Sequence, residues 1–399
     1  MQEHFLLQVT LSTSEMVIRS TLQAALTAQH LTSDKEFQEV GKEILSAPKS
    51  DPAFTRIENM LLRPMSGSPK VATPSREPTS LFEMRTYESP SMERHLNKLA
   101  MFNAGEFAAA RAHFEQGIAL YEPERHRAQA FRYGQDAGVA CLYYIALTLW
   151  WLGYPDQAVQ RSHEALTLAR GLAHPFSLAS ALFFAAWLHQ MRREWPLTHE
   201  RAEAAIALGD EQGFAIPVAL GMVFRGWALA ERSSEPGAGL GQVEEGIAQM
   251  QQGLAAWRAT GAEAVTPYIL ALLAEVYAKA GQREAGFTRL AEALAVVNAT
   301  GERRWEAELY RLKGEGLLAR TTGHDTEAET CFRQALDIAR HQEAKSLELR
   351  AAVSLSRLWQ HQGKRVEARK LLAPVYGWFT EGFDTADLQE AKALLEELA

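Results

Sequence analysis

Two stretches carry residue types that could do chemistry, and each lacks a part that the chemistry needs. His163-Glu164 begins like a zinc-protease motif, which requires a second histidine four residues after the first so that both imidazoles share a helical face. Position 167 is Thr167. The glycine-rich residues 236–241 resemble a phosphate-binding loop, but they follow a helical pattern rather than a strand. The sequence therefore predicts neither a metal nor a cofactor.

Nucleophilic catalysis would need a serine or cysteine held beside a histidine and an orienting acid. The only two cysteines, Cys141 and Cys331, each lie within an apolar helical pattern. The paired carboxylates Glu244 and Glu245 lie on a polar helix face. We expect buried thiols in a reducing cytoplasm, no catalytic residues and no enzyme activity.

The bulk composition limits the classes of partner. The chain has 399 residues, of which 47% are hydrophobic and 23% charged, with a formal net charge of -8. Lys and Arg form no cluster, so we expect no nucleic-acid partner. No apolar run approaches the roughly 18 residues of a membrane-spanning helix, and the first residues lack a basic stretch, so we expect a cytoplasmic protein without a membrane partner.

One pattern returns about every 40 residues after residue 92: an apolar helix, a short turn and a second helix with small residues at fixed places. The small residue that opens the second helix marks seven copies. These markers are Ala110, Ala158, Thr198, Gly246, Gly286, Ala328 and Ala368. A helix pair of this size cannot bury its apolar stripe alone, so the pairs must stack.

The turn between the two helices usually contains glycine, five positions before each marker. The turn residues are Gly105, Gly153, Arg193, Gly241, Gly281, Gly323 and Gly363. Glycine there can adopt the left-handed conformation that ends one helix and reverses the chain. We predict an all-α, tetratricopeptide-like right-handed superhelix of about seven helix pairs over residues 92–399, with an amphipathic capping helix at 385–398.

Residues before the array differ in composition. Residues 14–28 and 34–45 have helical spacing, which predicts an N-terminal helical segment of unknown role at 1–62. Residues 63–91 are rich in Pro, Ser and Thr, which predicts a flexible linker.

Several stretches of the array resemble one protein family. They are GEF at 105–107, HFEQGIALY at 113–121, LGYPDQA at 152–158, FFAAWLHQ at 183–190, RGWALAE at 225–231 and APVYGWFTEGFD at 373–384. They resemble the C-terminal repeat region of bacterial multidomain signalling proteins that join a class III nucleotide cyclase, an AAA-type or STAND-type ATPase and a tetratricopeptide tail.

The resemblance covers residues 92–399 and leaves out the catalytic parts of that family. The sequence has no Gly-x-x-x-x-Gly-Lys-Ser/Thr phosphate loop and no strand series for a cyclase sheet. The resemblance implies a role in sensing or autoinhibition, with a cyclase, kinase or ATPase domain as partner. An alternative is a truncated or accessory part of such an enzyme.

In tetratricopeptide arrays the first helix of each pair lines a concave groove, and large apolar anchors there suit a peptide or an amphipathic helix. The candidate groove residues are Tyr143, Leu147, Trp150, Phe183, Trp187, Val223, Trp227, Arg357 and Gln360. Two readings stay open for Trp187 and Trp227, since a helical aromatic stripe is often core packing.

Toward the C-terminus the predicted groove is more polar. Two interpretations of its polar residues stay open: they recognise polar groups of a peptide, or they are ordinary solvated charges. The polar positions are Glu275, Lys279, Arg311, Glu315, Arg357 and His361. We therefore expect a non-catalytic, protein-binding regulatory module. A further alternative is a small-molecule sensor within the superhelix, which would require a deep aromatic pocket.

Overall fold

The computed structural model describes residues 61–62, 82–83, 99–124, 126, 130, 134–233, 241–320 and 323–399. The chain divides into two compact units, Met1–Leu96 and Asn97–Ala399. In the first unit, strand β1 (Leu61–Leu62) pairs antiparallel with β2 (Phe82–Glu83), a pairing that the sequence pattern did not predict. The predicted helices at 14–28 and 34–45, and the rest of the predicted linker, lie outside the described residues.

In the described ranges of the second unit we distinguish seven helix pairs, here called repeats 1 to 7, and a final helix. In repeats 1 to 3 the pairs are α1 (99–104) with α2 (Phe107–Ala119), α3 (Ala137–Trp151) with α4 (Pro155–Leu172), and α5 (Pro175–Met191) with α6 (Trp195–Gln212). Repeats 4 and 5 are α7 (Ala215–Arg232) with α8 (Gly241–Ala259), and α9 (Thr266–Lys279) with α10 (Arg283–Thr300). Repeats 6 and 7 are α11 (Glu306–Leu318) with α12 (Asp325–His341), and α13 (Lys345–His361) with α14 (Arg365–Tyr376). The final helix is α15 (Ala386–Glu397).

The small residues that mark the repeats explain why the pairs stack. All seven markers, from Ala110 to Ala368, are buried, and so are the residues four positions after each of them. Positions spaced by four share one face of a helix, so each second helix turns a continuous apolar stripe toward its partner. The architecture of seven helix pairs with a capping helix is confirmed.

Gly226 in α7 and Gly246 in α8 bring the two helices of repeat 4 unusually close. A Cβ added to Gly246 would lie 2.5 Å from the carbonyl oxygen of Gly226, and one added to Gly226 would lie 2.6 Å from that of Gly246. Only glycine permits this approach, because a side chain at either position would overlap backbone atoms of the facing helix.

The turns between paired helices follow the glycine pattern with two exceptions. Five of the predicted turn glycines have a left-handed φ, but Gly241 is the first residue of α8, so the prediction of a turn at that position was wrong. Arg193 is the other exception: it holds φ 62 without being glycine. A non-glycine residue in this conformation is strained, which the contacts of Arg193 described below help to offset.

The first repeats pack directly against the last ones. The carbonyl oxygen of Asn103 in repeat 1 accepts a hydrogen bond from the backbone N–H of Arg303, which precedes repeat 6. The hydroxyl of Ser346 in repeat 7 donates to the carbonyl oxygen of Trp150 in repeat 2, at 2.5 Å. The repeats therefore contact more than their sequence neighbours, and one hydrophobic core runs through the array from Leu99 to Leu347.

Helix α15 closes the C-terminal end with one apolar side. Leu388, Ala391 and Leu394 are buried against repeat 7, while Lys392 and Glu396 are exposed. This is the amphipathic pattern predicted for a cap. Among the described helices, none combines the length and the apolar character that crossing a membrane requires.

Candidate functional site

The aromatic groove residues predicted from the sequence lie inside the protein. Seven of the nine are buried: Tyr143, Leu147, Trp150, Phe183, Trp187, Val223 and Trp227. All seven belong to the first helices α3, α5 and α7, as the pattern predicts. Only 1% of the surface of Trp187 and of Trp227 is exposed. Their burial disagrees with an open, solvent-facing groove, and their role in partner binding stays a prediction.

Aromatic rings from non-adjacent repeats fill the space where the groove was expected. Tyr268 of repeat 5 stacks on Trp305, which precedes repeat 6, with ring centres 4.1 Å apart. It also stacks on Trp187 of repeat 3 at 5.1 Å, and Trp151 of repeat 2 meets Trp305 at 4.9 Å. Rings of this size reach across the array and bury more apolar area together than each could against a neighbouring repeat alone.

Arg304 supplies a buried positive charge to this aromatic interior. Its guanidinium lies 4.9 Å from the ring centre of Phe102 and 5.5 Å from that of Trp187. Glu302 pairs with it at 2.6 Å, and both side chains are almost fully buried. The carboxylate of Glu302 also accepts from the backbone N–H of Val265. The charge is therefore compensated and stabilises the packing of repeats 1, 3 and 6.

The remaining two predicted groove residues, Arg357 and Gln360, bond to the capping helix. Arg357 donates to a carboxylate oxygen of Glu390 at 2.5 Å, and Gln360 donates to Glu397 at 3.0 Å. The side chain of Arg357 keeps 48% of its surface exposed. The nine residues are thus not brought together in one site: seven form core and two lie at the edge of α13.

Nine polar residues on the first helices of repeats 4 to 7 form a band, here called the polar seam. It consists of Glu231, Glu275, Lys279, Glu308, Arg311, Glu315, Arg350, Ser354 and Arg357. Within it, Arg311 contacts Glu308 at 2.7 Å and Glu315 at 2.5 Å, while Ser354 donates to Glu315 at 2.8 Å. Its contacts join repeat 4 to repeat 5 through Glu231 and Lys279. They join repeat 6 to repeat 7 through Glu308 with Arg350 and through Glu315 with Ser354.

Arg350 connects four separate parts of the array. It donates to the carboxylate of Asp387 in α15 at 2.8 Å, to Glu308 in α11 at 3.3 Å, and to the carbonyl oxygen of Met191 at the end of α5 at 2.6 Å. Its guanidinium also lies over the ring of Trp150 in α3. One side chain therefore joins repeats 2, 3, 6 and 7 to the capping helix.

The two arginines beside Glu308 change its protonation. Burial by itself would raise the pKa of this carboxyl, but charge attraction and hydrogen bonds from Arg311 and Arg350 outweigh burial and lower the pKa to about 2. Glu390 follows the same pattern, since burial opposes and Arg193 and Arg357 lower its pKa. Both carboxylates are therefore ionised at neutral pH, and the ion pairs that these two carboxylates form with arginine are intact there.

The segment between α14 and α15 reaches back to repeat 2. The carboxylate of Glu381 accepts from the backbone N–H groups of Asp156 and Gln157 at 2.9 and 3.1 Å, and from the side-chain amide of Gln157 at 2.9 Å. In return, the N–H of Gly382 donates to the carboxylate of Asp156 at 3.0 Å. These bonds close the array between residues about 225 positions apart.

A serine, a histidine and an acid also lie together at the start of α5, but in capping roles. Ser177 lies 2.9 Å from Nδ1 of His174 and accepts from the backbone N–H of Asp136. The carboxylate of Asp136 accepts from the N–H of Val139 and from the hydroxyl of Tyr121. Ser177 is fully buried, so a substrate has no access to its hydroxyl. These groups satisfy helix N-termini.

The other chemical candidates also occupy structural positions. Cys141 and Cys331 are buried, and burial raises the pKa of the Cys331 thiol. His163 is exposed on α4. No group of three metal-ligating side chains occurs within the described ranges. A depression of about 660 Å³ lies on α4 and is lined by residues of that helix alone, away from the aromatic interior where a small-molecule pocket was considered.

Sequence reasoning missed the contacts that close the array. Arg350, Glu308 and Asp387 look like ordinary solvated charges in the sequence, because their partners come from distant repeats. Arg193 was the one residue whose position in the sequence indicated such a contact, since it is the single non-glycine among the predicted turn residues. Its guanidinium contacts Asp387 at 3.3 Å and Glu390 at 2.8 Å, both in α15.

Comparison with known proteins supports the fold. No protein-family model matches the chain. A Rap protein complexed with competence and sporulation factor is similar over 78% of this chain and 80% of that one, with a TM-score of 0.52 and 14% identity. A STAND protein with a tetratricopeptide repeat sensor from Pyrococcus horikoshii is similar over 78% of this chain and 44% of that one, with a TM-score of 0.43 and 14% identity. The likeness to the Rap protein is one of fold, and the fold of this chain is a tetratricopeptide-like array of helix pairs.

One curated relative is similar in sequence. It is an uncharacterized protein of Rhizobium meliloti (strain 1021), 27% identical over 259 residues. The matched region is 64% of this chain but 24% of the relative, so the chain spans about a quarter of that longer protein's length.

Proposed function

We propose that this chain is a non-catalytic regulatory module of a bacterial signalling system that binds a peptide or a partner domain. The observation that carries the proposal is the polar seam. Its side chains lie on the first helices of successive repeats, and several remain accessible: 36% of Lys279, 44% of Glu315 and 48% of Arg357 is exposed. Alternating charges at repeat spacing suit an extended segment that carries its own charges.

The seam is a better docking surface in this state than the aromatic residues. Trp187 and Trp227 are buried, so a partner would have to displace packed rings to reach them. Contacts with water can replace the half-exposed ion pairs of the seam at a low cost in free energy, because an exposed ion pair contributes about 0 to 1 kcal/mol to stability. A partner can therefore replace these pairs with its own charges.

The signalling context rests on the family resemblance and on chain length. The array resembles the tail of proteins that carry a cyclase and an ATPase, and the Rhizobium meliloti relative is about four times as long as the matched region. We propose that the array acts on such a catalytic domain, in the same chain or in a separate one. A second proposal is that the chain is a truncated or accessory part of such an enzyme. It involves the same array and differs from the first proposal only in what is attached to the array.

The test is affinity capture from a bacterial lysate with the full chain and two charge-reversal variants. Lys279→Glu with Arg357→Glu alters the seam. Arg258→Glu with Arg289→Glu is the matched control, because each of these arginines pairs with Glu292 away from the seam.

We expect a partner that the wild type and the control recover and the seam variant loses. Equal recovery by all three chains would rule out the seam as the docking surface. Nucleotide turnover by the isolated chain would contradict the non-catalytic role.

A further inference from the structure

The residues that close the array at its C-terminal end form one short segment, 378–390, here called the C-terminal latch. It begins with Trp378 and Phe379 after α14 and ends at Glu390 in α15. Phe379 is buried, while Trp378 is 37% exposed and packs on Tyr154 with ring centres 5.5 Å apart. The latch thus follows the last repeat in sequence and lies against repeats 2 and 3.

The latch completes a helix that lacks its own cap. The N-cap residue of α4 is Tyr154, whose side chain makes no capping hydrogen bond. The first N–H groups of a helix have no intrahelical acceptor, so the N–H groups of Asp156 and Gln157 depend on another partner. Glu381 supplies it. A carboxylate is also favoured at this end by the helix dipole.

The second attachment of the latch is held in a strained conformation. Arg193 has φ 62, although the equivalent residue in most other turns is glycine, and its guanidinium pairs with Asp387 and Glu390. Backbone strain of about 1–3 kcal/mol persists only where contacts over-determine it. Releasing the latch would remove these contacts and leave the strain in place.

The junction beneath the latch is polar and closely packed. Arg350 holds Asp387, Arg192 donates to the carbonyl oxygen of Pro155, and Ser346 bonds Trp150. The space among them is about 10 Å³, which is room for about one water molecule. The latch is therefore held by hydrogen bonds and ion pairs together with two buried apolar side chains, Phe379 and Leu388, whereas aromatic packing holds the helix pairs.

We propose that residues 378–390 are a conformational switch, which releases from repeats 2 and 3 as one cooperative unit while the helix pairs stay folded. Release uncovers the first turn of α4 and frees Arg350 from the capping helix. Phe379 and Leu388 are the two large apolar side chains that the latch buries, and its other contacts exchange for water more cheaply than buried rings do. We therefore expect a lower opening free energy for the latch than for the helix pairs. This proposal does not depend on the identity of a partner.

The test uses hydrogen exchange at the amides of Asp156 and Gln157 in the full chain, read by NMR. Glu381→Ala removes their acceptor directly. Arg350→Met is the decisive variant, because Arg350 bonds Asp387 and not these amides. Arg258→Gln, which removes the guanidinium from the ion pair between Arg258 on α8 and Glu292 on α10, is the control.

We expect exchange at both amides to become at least about tenfold faster in Arg350→Met as well as in Glu381→Ala, with the interior of α4 and the helical circular dichroism unchanged. Unchanged protection in Arg350→Met would overturn the proposal, since the Glu381 contact would then be a local cap. If Arg350→Met loses helical signal, Asp387→Asn tests the same contact with a smaller change, and the same two outcomes decide the proposal.

Discussion

The guanidinium of Arg350 lies 4.9 Å from the centre of the Trp150 ring, although the two residues are 200 positions apart in the chain. Trp150 is buried in repeat 2, and Arg350 comes from repeat 7. Such contacts give the array a tertiary core of its own in addition to the stacking between neighbouring repeats. Substitutions in that core should therefore affect the whole array rather than one repeat.

Replacing Trp187 and Trp227 together by Ala should destabilise the fold. Removing a buried aromatic side chain costs about 3–5 kcal/mol, because apolar contacts are lost and a cavity remains. We expect a lower urea midpoint by tryptophan fluorescence and a reduced helical signal at 25 °C. Val366→Ala, on an exposed position of α14, is the control and should change little. Full helicity with loss of partner capture alone would instead assign the two tryptophans to binding.

Gly246→Ala should destabilise repeat 4 by about 1–3 kcal/mol, because the added methyl would overlap the carbonyl oxygen of Gly226. Gly241→Ala is a matched control in the same helix. Its added methyl would meet no atom within 4 Å. Alanine also favours a helix over glycine, by at most about 1 kcal/mol at this first helical position. We expect the urea midpoint to fall for the first variant and to stay or rise for the second. Equal midpoints would contradict the close approach of α7 and α8.

Gly382→Ala should weaken the C-terminal latch. The residue has φ 74, and an added Cβ would lie 2.1 Å from Cγ of Pro155. Gly363→Ala has the same backbone strain at φ 76 but open space around the Cβ.

The free energy of unfolding should fall by about 1–2 kcal/mol in both variants, because alanine is strained in the left-handed conformation. Only Gly382→Ala should also accelerate hydrogen exchange at Asp156. If both variants accelerate it, the effect is due to strain rather than to the contact with Pro155.

Stability should fall in acid partly through Glu308. Its pKa is lowered from 4.5 to about 2 in the folded chain, so the unfolded chain binds the proton more tightly. The stabilisation is fully present above about pH 4.5 and is lost as the pH falls toward 2. A shift of this size corresponds to about 3 kcal/mol.

The measurement is the unfolding free energy of wild type and Glu308→Gln between pH 7 and pH 3. We expect the variant to be less stable at pH 7, because Arg311 and Arg350 lose a charged partner, and the gap to narrow in acid. A constant gap over this range would show that Glu308 titrates normally.

The sequence was sufficient to predict the repeats, but it was not sufficient to predict the contacts that close the array. Spacings such as Ala158 to Ser162 act within one helix and against the adjacent helix, so local rules predict them. The first helices need large apolar residues whether they line a groove or fill a core. The sequence pattern alone therefore does not distinguish a groove from a core. The difference is made by pairs such as Trp187 with Tyr268 and Glu381 with Asp156, whose long separations leave no periodic signal.

The closure between Glu381 and α4 bears on how this protein can change length in evolution. Arrays of this type usually gain or lose whole units of about 40 residues, since each unit rests only on its neighbours. Here an inserted unit would carry Glu381 away from Asp156 and Gln157, and would shift Arg350 away from Trp150. The number of units between repeat 2 and the capping helix is thereby fixed, in the way that the strand number of a closed barrel is fixed.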